Sequence, residues 1–142
     1  MNSDTVRAGN PSPEAFAGSS PRLVAKRLFF ATRPAFFPAS ILPILAGSAW
    51  GFGASGNFDI GILLLTLLGV ICVHAAANVL NDVSDDTGGT DRRNKDRIYP
   101  YTGGSRFIQN GILTAAEMGR LGISGLVLAA AAGLFLLLVK DR

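Results

Sequence analysis

Three long runs without a charged side chain constrain this chain more than any other feature. No Asp, Glu, Lys or Arg occurs in residues 34–58, 60–81 or 121–139. A bilayer core of about 30 Å is crossed by roughly 20 apolar residues in a helix, so each run is long enough to span a membrane. The sequence therefore predicts an all-α membrane protein with three transmembrane helices, near residues 35–53, 60–82 and 116–139. The alternative is three helices buried in a soluble core, and a domain this small cannot enclose them on all sides.

The basic residues predict the orientation in the membrane. Five Lys and Arg residues precede residue 34, six lie between residues 82 and 120, and the loop between the first two spans contains none. Since positively charged loops stay in the cytoplasm, the N-terminus and the loop at 82–115 are both predicted to be cytoplasmic, in a multi-pass protein of the plasma (inner) membrane. The net charge of +3 then reflects topology, and no nucleic-acid partner is expected.

The N-terminal residues differ in composition from the rest of the chain. Residues 1–21 are rich in Ser, Pro, Gly, Asn and Ala, and they are predicted to form a disordered tail because such a segment cannot bury a core. Residues 22–142 then form the membrane domain. A short interfacial helix is predicted at its start, with Ser20 as the N-cap and Pro21 in the first helical position. Thr114 and Glu117 have the spacing of a capping box before the third span.

Polar side chains are concentrated at the end of the second span, in the stretch "NVLNDVSDDTGGTD" that covers residues 78–91. At 3.6 residues per turn, about 100° of one helix face contains His74, Asn78, Asn81, Asp82 and Asp85. Polar groups at this depth should face the bundle interior or a wet cavity. The two glycines at 88 and 89 are expected to end the helix, which would let Asp91 approach Asp82 and Asp85. His74 is predicted to hydrogen-bond between helices, with a proton carrier as the alternative.

Carboxylates clustered in this way repel one another unless a positive partner joins them. One candidate is the set of arginines in the adjoining loop, which would give a salt-bridge network. The other is a hard divalent cation, Mg²⁺ or Ca²⁺, because the donors are all oxygens. Mg²⁺ also shares phosphate oxygens with substrates, and Lys95, Arg97 and Arg106 are suitable phosphate partners. The residues by themselves are equally compatible with a solvated loop whose charges only follow topology.

The same stretch carries a resemblance to a known family. The pattern Asn78-x-x-Asn81-Asp82-x-x-Asp85 with a following Asp91 resembles the first aspartate-rich motif of the UbiA-type intramembrane prenyltransferases. The segments "DRIYP" at 96–100 and "RFIQNG" at 106–111 resemble elements of the branch that prenylates dihydroxynaphthoate for menaquinone. "RPAFFPASILPILAGSAWG" resembles the family's usual first helix. The similarity covers residues 22–139.

The resemblance implies a fold, a reaction and a set of site residues. The family fold has nine transmembrane helices, of which this chain resembles the N-terminal third. The implied reaction is the Mg²⁺-dependent transfer of a polyprenyl group from its diphosphate to an aromatic acceptor in quinone (menaquinone-like) biosynthesis. The implied metal ligands are Asn78, Asp82, Asp85 and Asp91. The implied substrate-binding residues are Asn78, Asn81, Lys95, Arg97, Tyr99, Arg106 and Gln109. The implied catalytic residues are Asp82, Asp85, Arg97 and Arg106.

Family enzymes hold the diphosphate between two acidic motifs, and this sequence contains only the first. The 142-residue chain is therefore expected to be inactive by itself. Two other classes stay open: a small three-helix membrane protein without enzymatic activity, and a transporter fragment whose acids line an ion path.

The topology can be tested by labelling. With residues 2–33 and 82–117 in the cytoplasm and residues 53–59 outside, a membrane-impermeant thiol reagent added to intact cells should modify a cysteine placed at Gly56. The same reagent should miss a cysteine placed at Asn94, because that position is predicted to lie on the cytoplasmic side. Labelling at Asn94 and protection at Gly56 would reverse the assignment.

Overall fold

A computed structural model describes residues 11–89 and 103–140, and within these ranges all regular secondary structure is helical. Two short 3-10 helices cover Pro13–Phe16 and Pro34–Phe36. The α-helices are α1 (Pro21–Ala31), α2 (Pro38–Ser55), α3 (Ile60–Thr87) and α4 (Ala115–Lys140). Three segments are long and apolar enough to cross a membrane: Pro34–Ser55, Ile60–Gly88 and Ala115–Val139. The prediction of an all-α protein with three membrane spans is confirmed.

The predicted capping residues start two of these helices. The hydroxyl of Ser20 accepts a hydrogen bond from the backbone N–H of Leu23 at 3.4 Å, and Pro21 occupies the first position of α1. At α4, Glu117 Oε2 accepts from the backbone N–H of Thr114 at 2.8 Å, while Thr114 Oγ1 accepts from the backbone N–H of Glu117 at 3.2 Å. This reciprocal pairing is a capping box, and it satisfies backbone donors that a helix start leaves without partners.

The turn between α1 and α2 is tight and depends on a proline. α1 ends at Ala31, and Arg33 adopts φ 58°, in the left-handed region, directly before Pro34. Proline disfavours helical geometry in the residue before it, so the helix cannot run on through Arg33. The chain then re-enters a helix through the short 3-10 turn, which places the start of α2 close to the end of α1.

The second span is longer than predicted. α3 continues to Thr87, five residues beyond the expected end near 82, so the predicted start of the loop at 82 is corrected. The physical reason is that apolar residues continue the inward face: Val79 is fully buried and Val83 packs against the core. The prediction that glycines end the helix is confirmed, since Gly88 caps α3 and Gly89 adopts φ 72°.

α3 and α4 pack closely because small residues line their interface. A Cβ added to Gly125 would lie 3.1 Å from the carbonyl oxygen of Cys72 and 3.2 Å from the Cβ of Ala76. Ala76 and Ala132 are both buried in the same interface. Without a hydrophobic driving force between helices in lipid, close backbone approach of this kind is what favours association.

The remaining surface of the spans is apolar and exposed. Trp50 on α2 is 82% exposed and Leu137 on α4 is 64% exposed. Such surface is stable against hydrocarbon and unstable against water. The helices therefore suit a bilayer, where lipid or further helices would cover them.

The core lies at one end of the helices, around the last turns of α3. It is formed by buried apolar residues from five parts of the chain: Phe16, Ala31, Val79, Phe107, Ile112, Leu113 and Met118.

The burial of Phe16 overturns the predicted disorder for the second half of the N-terminal tail. Residues 1–10 lie outside the described residues, whereas Pro13–Phe16 forms a helical turn whose phenylalanine is 7% exposed. Its aromatic partners are distant in sequence, which is why local composition did not reveal it.

Replacing Gly125 with alanine should destabilise the α3–α4 pair, since the new methyl group meets a backbone carbonyl that cannot move alone. We expect the free energy of unfolding to fall by about 1–2 kcal/mol in SDS titrations of the protein in mixed micelles. The matched control is Gly133→Ala on the same helix, where a Cβ meets nothing within 4 Å. This control should be neutral or slightly stabilising, by up to about 1 kcal/mol, through helix propensity. Equal effects of the two substitutions would contradict the packing described.

Candidate active site at the end of α3

The last turns of α3 present their polar side chains in two sets. Asp82 and Asp86 are four residues apart and face the segment at 103–114. Asp82 Oδ2 accepts the backbone N–H of Ser105 at 2.9 Å, and Asp86 Oδ1 accepts the side-chain amide of Gln109 at 3.2 Å. The segment that precedes α4 is thereby held against α3 by two carboxylates.

The second set, Asn81 and Asp85, lies about 100° around the helix from Asp82 and Asp86. Asn81 Nδ2 donates to Asp85 Oδ2 at 2.9 Å, which is the usual reach of a pair four residues apart. Asn81 is exposed and Asp85 is half-buried. The predicted polar stripe thus divides into an inward pair that binds the chain and an outward pair that is accessible.

One and two turns before Asp82, Asn78 and His74 contact the turn between α1 and α2 and α2 itself. Asn78 Nδ2 donates to the carbonyl oxygen of Thr32 at 3.0 Å, in the residue before the left-handed Arg33. His74 Nδ1 and the hydroxyl of Ser40 on α2 form a hydrogen bond of 2.6 Å. The prediction that His74 hydrogen-bonds between helices is confirmed.

Arg33 and Arg106 share an uncommon backbone conformation. In the described parts of the chain they alone, among residues other than glycine, have a positive φ, at 58° and 63°. Arg33 lies close enough to Asp82 for electrostatic attraction, and its guanidinium stands 4.7 Å from the centre of the Phe36 ring. Arg106 Nε donates to the carbonyl oxygen of Gly103 at 3.2 Å. Strained residues of this kind persist where surrounding contacts hold them, and they are concentrated at functional sites.

The structure brings together part of the predicted site. Asp82 and Asp86 on α3 contact the segment that carries Arg106 and Gln109. Four predicted residues lie outside the described residues: Asp91, Lys95, Arg97 and Tyr99. Asp86 and Arg33 also adjoin the site but were not predicted from the sequence. Asp86 could have been expected as a further acid one turn after Asp82, whereas the proximity of Arg33 to Asp82 depends on the fold.

The side-chain oxygens at this end of α3 suit a hard cation that also binds the phosphate oxygens of a substrate. Within residues 11–89 and 103–140, no three His, Cys, Asp or Glu side chains are grouped as a metal cage. Mg²⁺ does not need such a cage, since it binds through one or two carboxylates and takes its remaining ligands from water and phosphate. The carboxylate of Asp85 and the amide oxygen of Asn81 fit this mode.

Comparison with known proteins assigns the chain to a family. The profile of the UbiA prenyltransferase family matches residues 40–139. The chain belongs to this family. UbiA-family relatives include the 1,4-dihydroxy-2-naphthoate octaprenyltransferase of Escherichia coli, which is 34% identical over 75% of this chain and 32% of the relative.

Two further UbiA-family relatives give the same picture. The 2-carboxy-1,4-naphthoquinone phytyltransferase of Synechocystis is 30% identical over 66% of this chain and 32% of its own length. Human UbiA prenyltransferase domain-containing protein 1 is 27% identical over 87% of this chain and 36% of its own length. The chain therefore spans about a third of the length of these relatives. No solved structure matches it significantly.

The N-terminal turn packs against the segment at 103–114, and its role in holding that segment can be tested. The Phe16 ring lies 5.1 Å from that of Phe107 and 6.0 Å from that of Phe30, and Asn110 Nδ2 donates to the carbonyl oxygen of Pro11 at 2.7 Å. Phe16→Ala removes a buried ring, so the free energy of local opening of residues 107–113 should fall by about 3 kcal/mol. Hydrogen exchange of those amides measures it.

The control for this substitution is Phe29→Ala on the neighbouring helix. Phe29 is 54% exposed, so its truncation should leave the exchange of residues 107–113 within about threefold of wild type. Unchanged exchange in Phe16→Ala would show that the N-terminal turn does not stabilise the segment.

Proposed function

We propose that this chain forms the diphosphate-binding part of an intramembrane prenyltransferase. The reaction is the Mg²⁺-dependent transfer of a polyprenyl group from its diphosphate to an aromatic acceptor, in the biosynthesis of a menaquinone-like quinone. One observation carries the proposal: the accessible Asn81–Asp85 pair stands at the end of a membrane-spanning helix, beside turns that hold two strained arginines. The names of the naphthoate-prenylating relatives support the choice of acceptor class.

Asn81 and Asp85 are the residues that would hold Mg²⁺ among those described. Bound Mg²⁺ supplies positive charge that neutralises the diphosphate as the allylic C–O bond breaks. Asp91, outside the described residues, remains a proposed further ligand. Asn78 and Asp82, the other predicted ligands, already make hydrogen bonds to the backbone of other segments, at Thr32 and Ser105.

The basic residues would bind and orient the diphosphate. Arg106 is placed beside α3 by its segment, and the hydrogen bond between Gln109 and Asp86 sets that segment's position. A guanidinium presents two parallel N–H donors to phosphate oxygens, which gives both charge and orientation. Lys95 and Arg97 are proposed to bind the phosphates as well, and Tyr99 to shield the allylic cation by a cation–π contact.

The position of the site suits a substrate with a charged head and a long apolar tail. The polar residues lie at one end of α3, and the helix beyond them is apolar over several turns. A polyprenyl tail can therefore extend along the spans within the lipid layer while its diphosphate stays at the membrane surface, proposed to be the cytoplasmic one. Few residues of the three apolar spans are buried within the chain, so they do not enclose a reaction cavity. We therefore propose that the 142-residue chain binds the diphosphate without catalysing transfer alone.

Asp85→Asn tests the proposed function directly. The substitution removes the charge that would hold Mg²⁺, so the affinity for geranylgeranyl diphosphate in the presence of Mg²⁺ should fall about tenfold or more. Titration of the detergent-solubilised chain at several Mg²⁺ concentrations measures it.

Asp59→Asn is the matched control, because Asp59 caps the opposite end of the same helix and Asn caps equally well. This variant should bind like wild type. A wild-type chain that binds no prenyl diphosphate, or an Asp85→Asn chain that binds it unchanged, would refute the proposal.

A further inference from the structure

Asp82 is the most deeply buried charged side chain described in this protein. Its side chain is 2% exposed and is one of the largest fully buried side chains described. Its Oδ2 accepts the backbone N–H of Ser105, a residue 23 positions later in the chain. Its Oδ1 is buried and makes no hydrogen bond within the described residues.

This burial separates Asp82 from the accessible pair beside it. A bound Mg²⁺ keeps several of its waters and dehydrates reluctantly, so its ligands must reach a hydrated space. Asp85 is half-buried beside the exposed Asn81 and meets this requirement, whereas Asp82 does not. The two carboxylates, three residues apart, therefore suit different tasks.

The hydrogen bond of Asp82 acts on a critical point of the backbone. Ser105 directly precedes Arg106, whose φ of 63° is unfavourable for a residue with a side chain. A hydrogen bond to a carboxylate is stronger than one between neutral groups, and it is stronger again away from water. Fixing the N–H of Ser105 holds the chain on α3 at the residue before the strained arginine.

We propose that Asp82 is a positioning residue and not a metal ligand. Its carboxylate fastens the segment at 103–114 to α3, so that Arg106 and Gln109 are held at the same end of the helix as the Asn81–Asp85 pair. The inference rests on the proposed function for the meaning of that arrangement. The fastening itself is a property of the fold and can be measured without any ligand.

Three variants distinguish positioning from metal binding. Asp82→Asn keeps an oxygen that can accept the Ser105 N–H and removes the charge. Asp82→Ala removes both. Asp85→Asn removes the charge of the accessible pair. Each is measured by hydrogen exchange of residues 105–113 and by the Mg²⁺ dependence of geranylgeranyl diphosphate binding.

For a positioning role, Asp82→Ala should raise amide exchange at Ser105 by about tenfold and weaken diphosphate binding by a similar factor. Asp82→Asn keeps the acceptor oxygen and loses the charge, so amide exchange and diphosphate affinity should lie between those of Asp82→Ala and wild type, with the Mg²⁺ dependence of binding unchanged. Asp85→Asn should show the reverse pattern. Amide exchange at Ser105 should stay normal, and the binding of geranylgeranyl diphosphate should no longer depend on Mg²⁺.

Two results would overturn the inference. One is an Asp82→Asn chain that loses its Mg²⁺ dependence as Asp85→Asn does while exchange at Ser105 stays normal, since this is the behaviour of a ligand. The other is an Asp82→Ala chain with unchanged exchange at Ser105. If wild type binds no prenyl diphosphate, the proposed function fails, and the exchange measurements still decide whether Asp82 fastens the segment.

Discussion

Polar groups inside a membrane need protein partners in place of water, and this constraint organises the protein around α3. Six polar side chains in the second half of that helix make hydrogen bonds, and four of the five bonds reach other segments of the chain. The pairs are His74 with Ser40, Asn78 with the carbonyl of Thr32, Asn81 with Asp85, Asp82 with the N–H of Ser105, and Asp86 with Gln109. The need to hydrogen-bond the polar side chains of α3 therefore determines how α1, α2 and the segment before α4 are arranged.

These pairings explain why the core lies at one end of the molecule. Between the spans, small residues on α3 and α4 allow close contact, and most of the remaining surface is left to lipid or to further helices. At the polar end, apolar side chains from α1, the N-terminal turn and the segment at 103–114 pack around the buried hydrogen bond between Asp82 and Ser105. Excluding water strengthens that hydrogen bond. The candidate site therefore adjoins the apolar core.

Two of the hydrogen bonds of α3 adjoin the two left-handed arginines. Such a conformation is held at Arg33 by the hydrogen bond from Asn78 to the preceding residue, and at Arg106 by the hydrogen bond from Ser105 to Asp82. In both places a polar side chain of α3 fixes the backbone one residue before the arginine. A diphosphate carries several negative charges, so a site for it needs cations whose positions are fixed in advance. Under the proposed function, Arg33 and Arg106 would be two such cations at the polar end of α3.

Local patterns in the sequence determined the three spans, the caps at Ser20 and Thr114, the end of α3 at its glycines and the resemblance to UbiA-type enzymes, because each depends on residues close together in the chain. The tertiary structure decided which carboxylate is buried. Helical periodicity places Asp82 and Asp85 about 60° apart on the same side of α3, but only the segment that returns 23 residues later shows which of them is covered. It also ordered Pro13–Phe16 against its polar composition, because the rings that bury Phe16 belong to Phe30 and Phe107. Burial depends on distant partners, and a local pattern does not contain them.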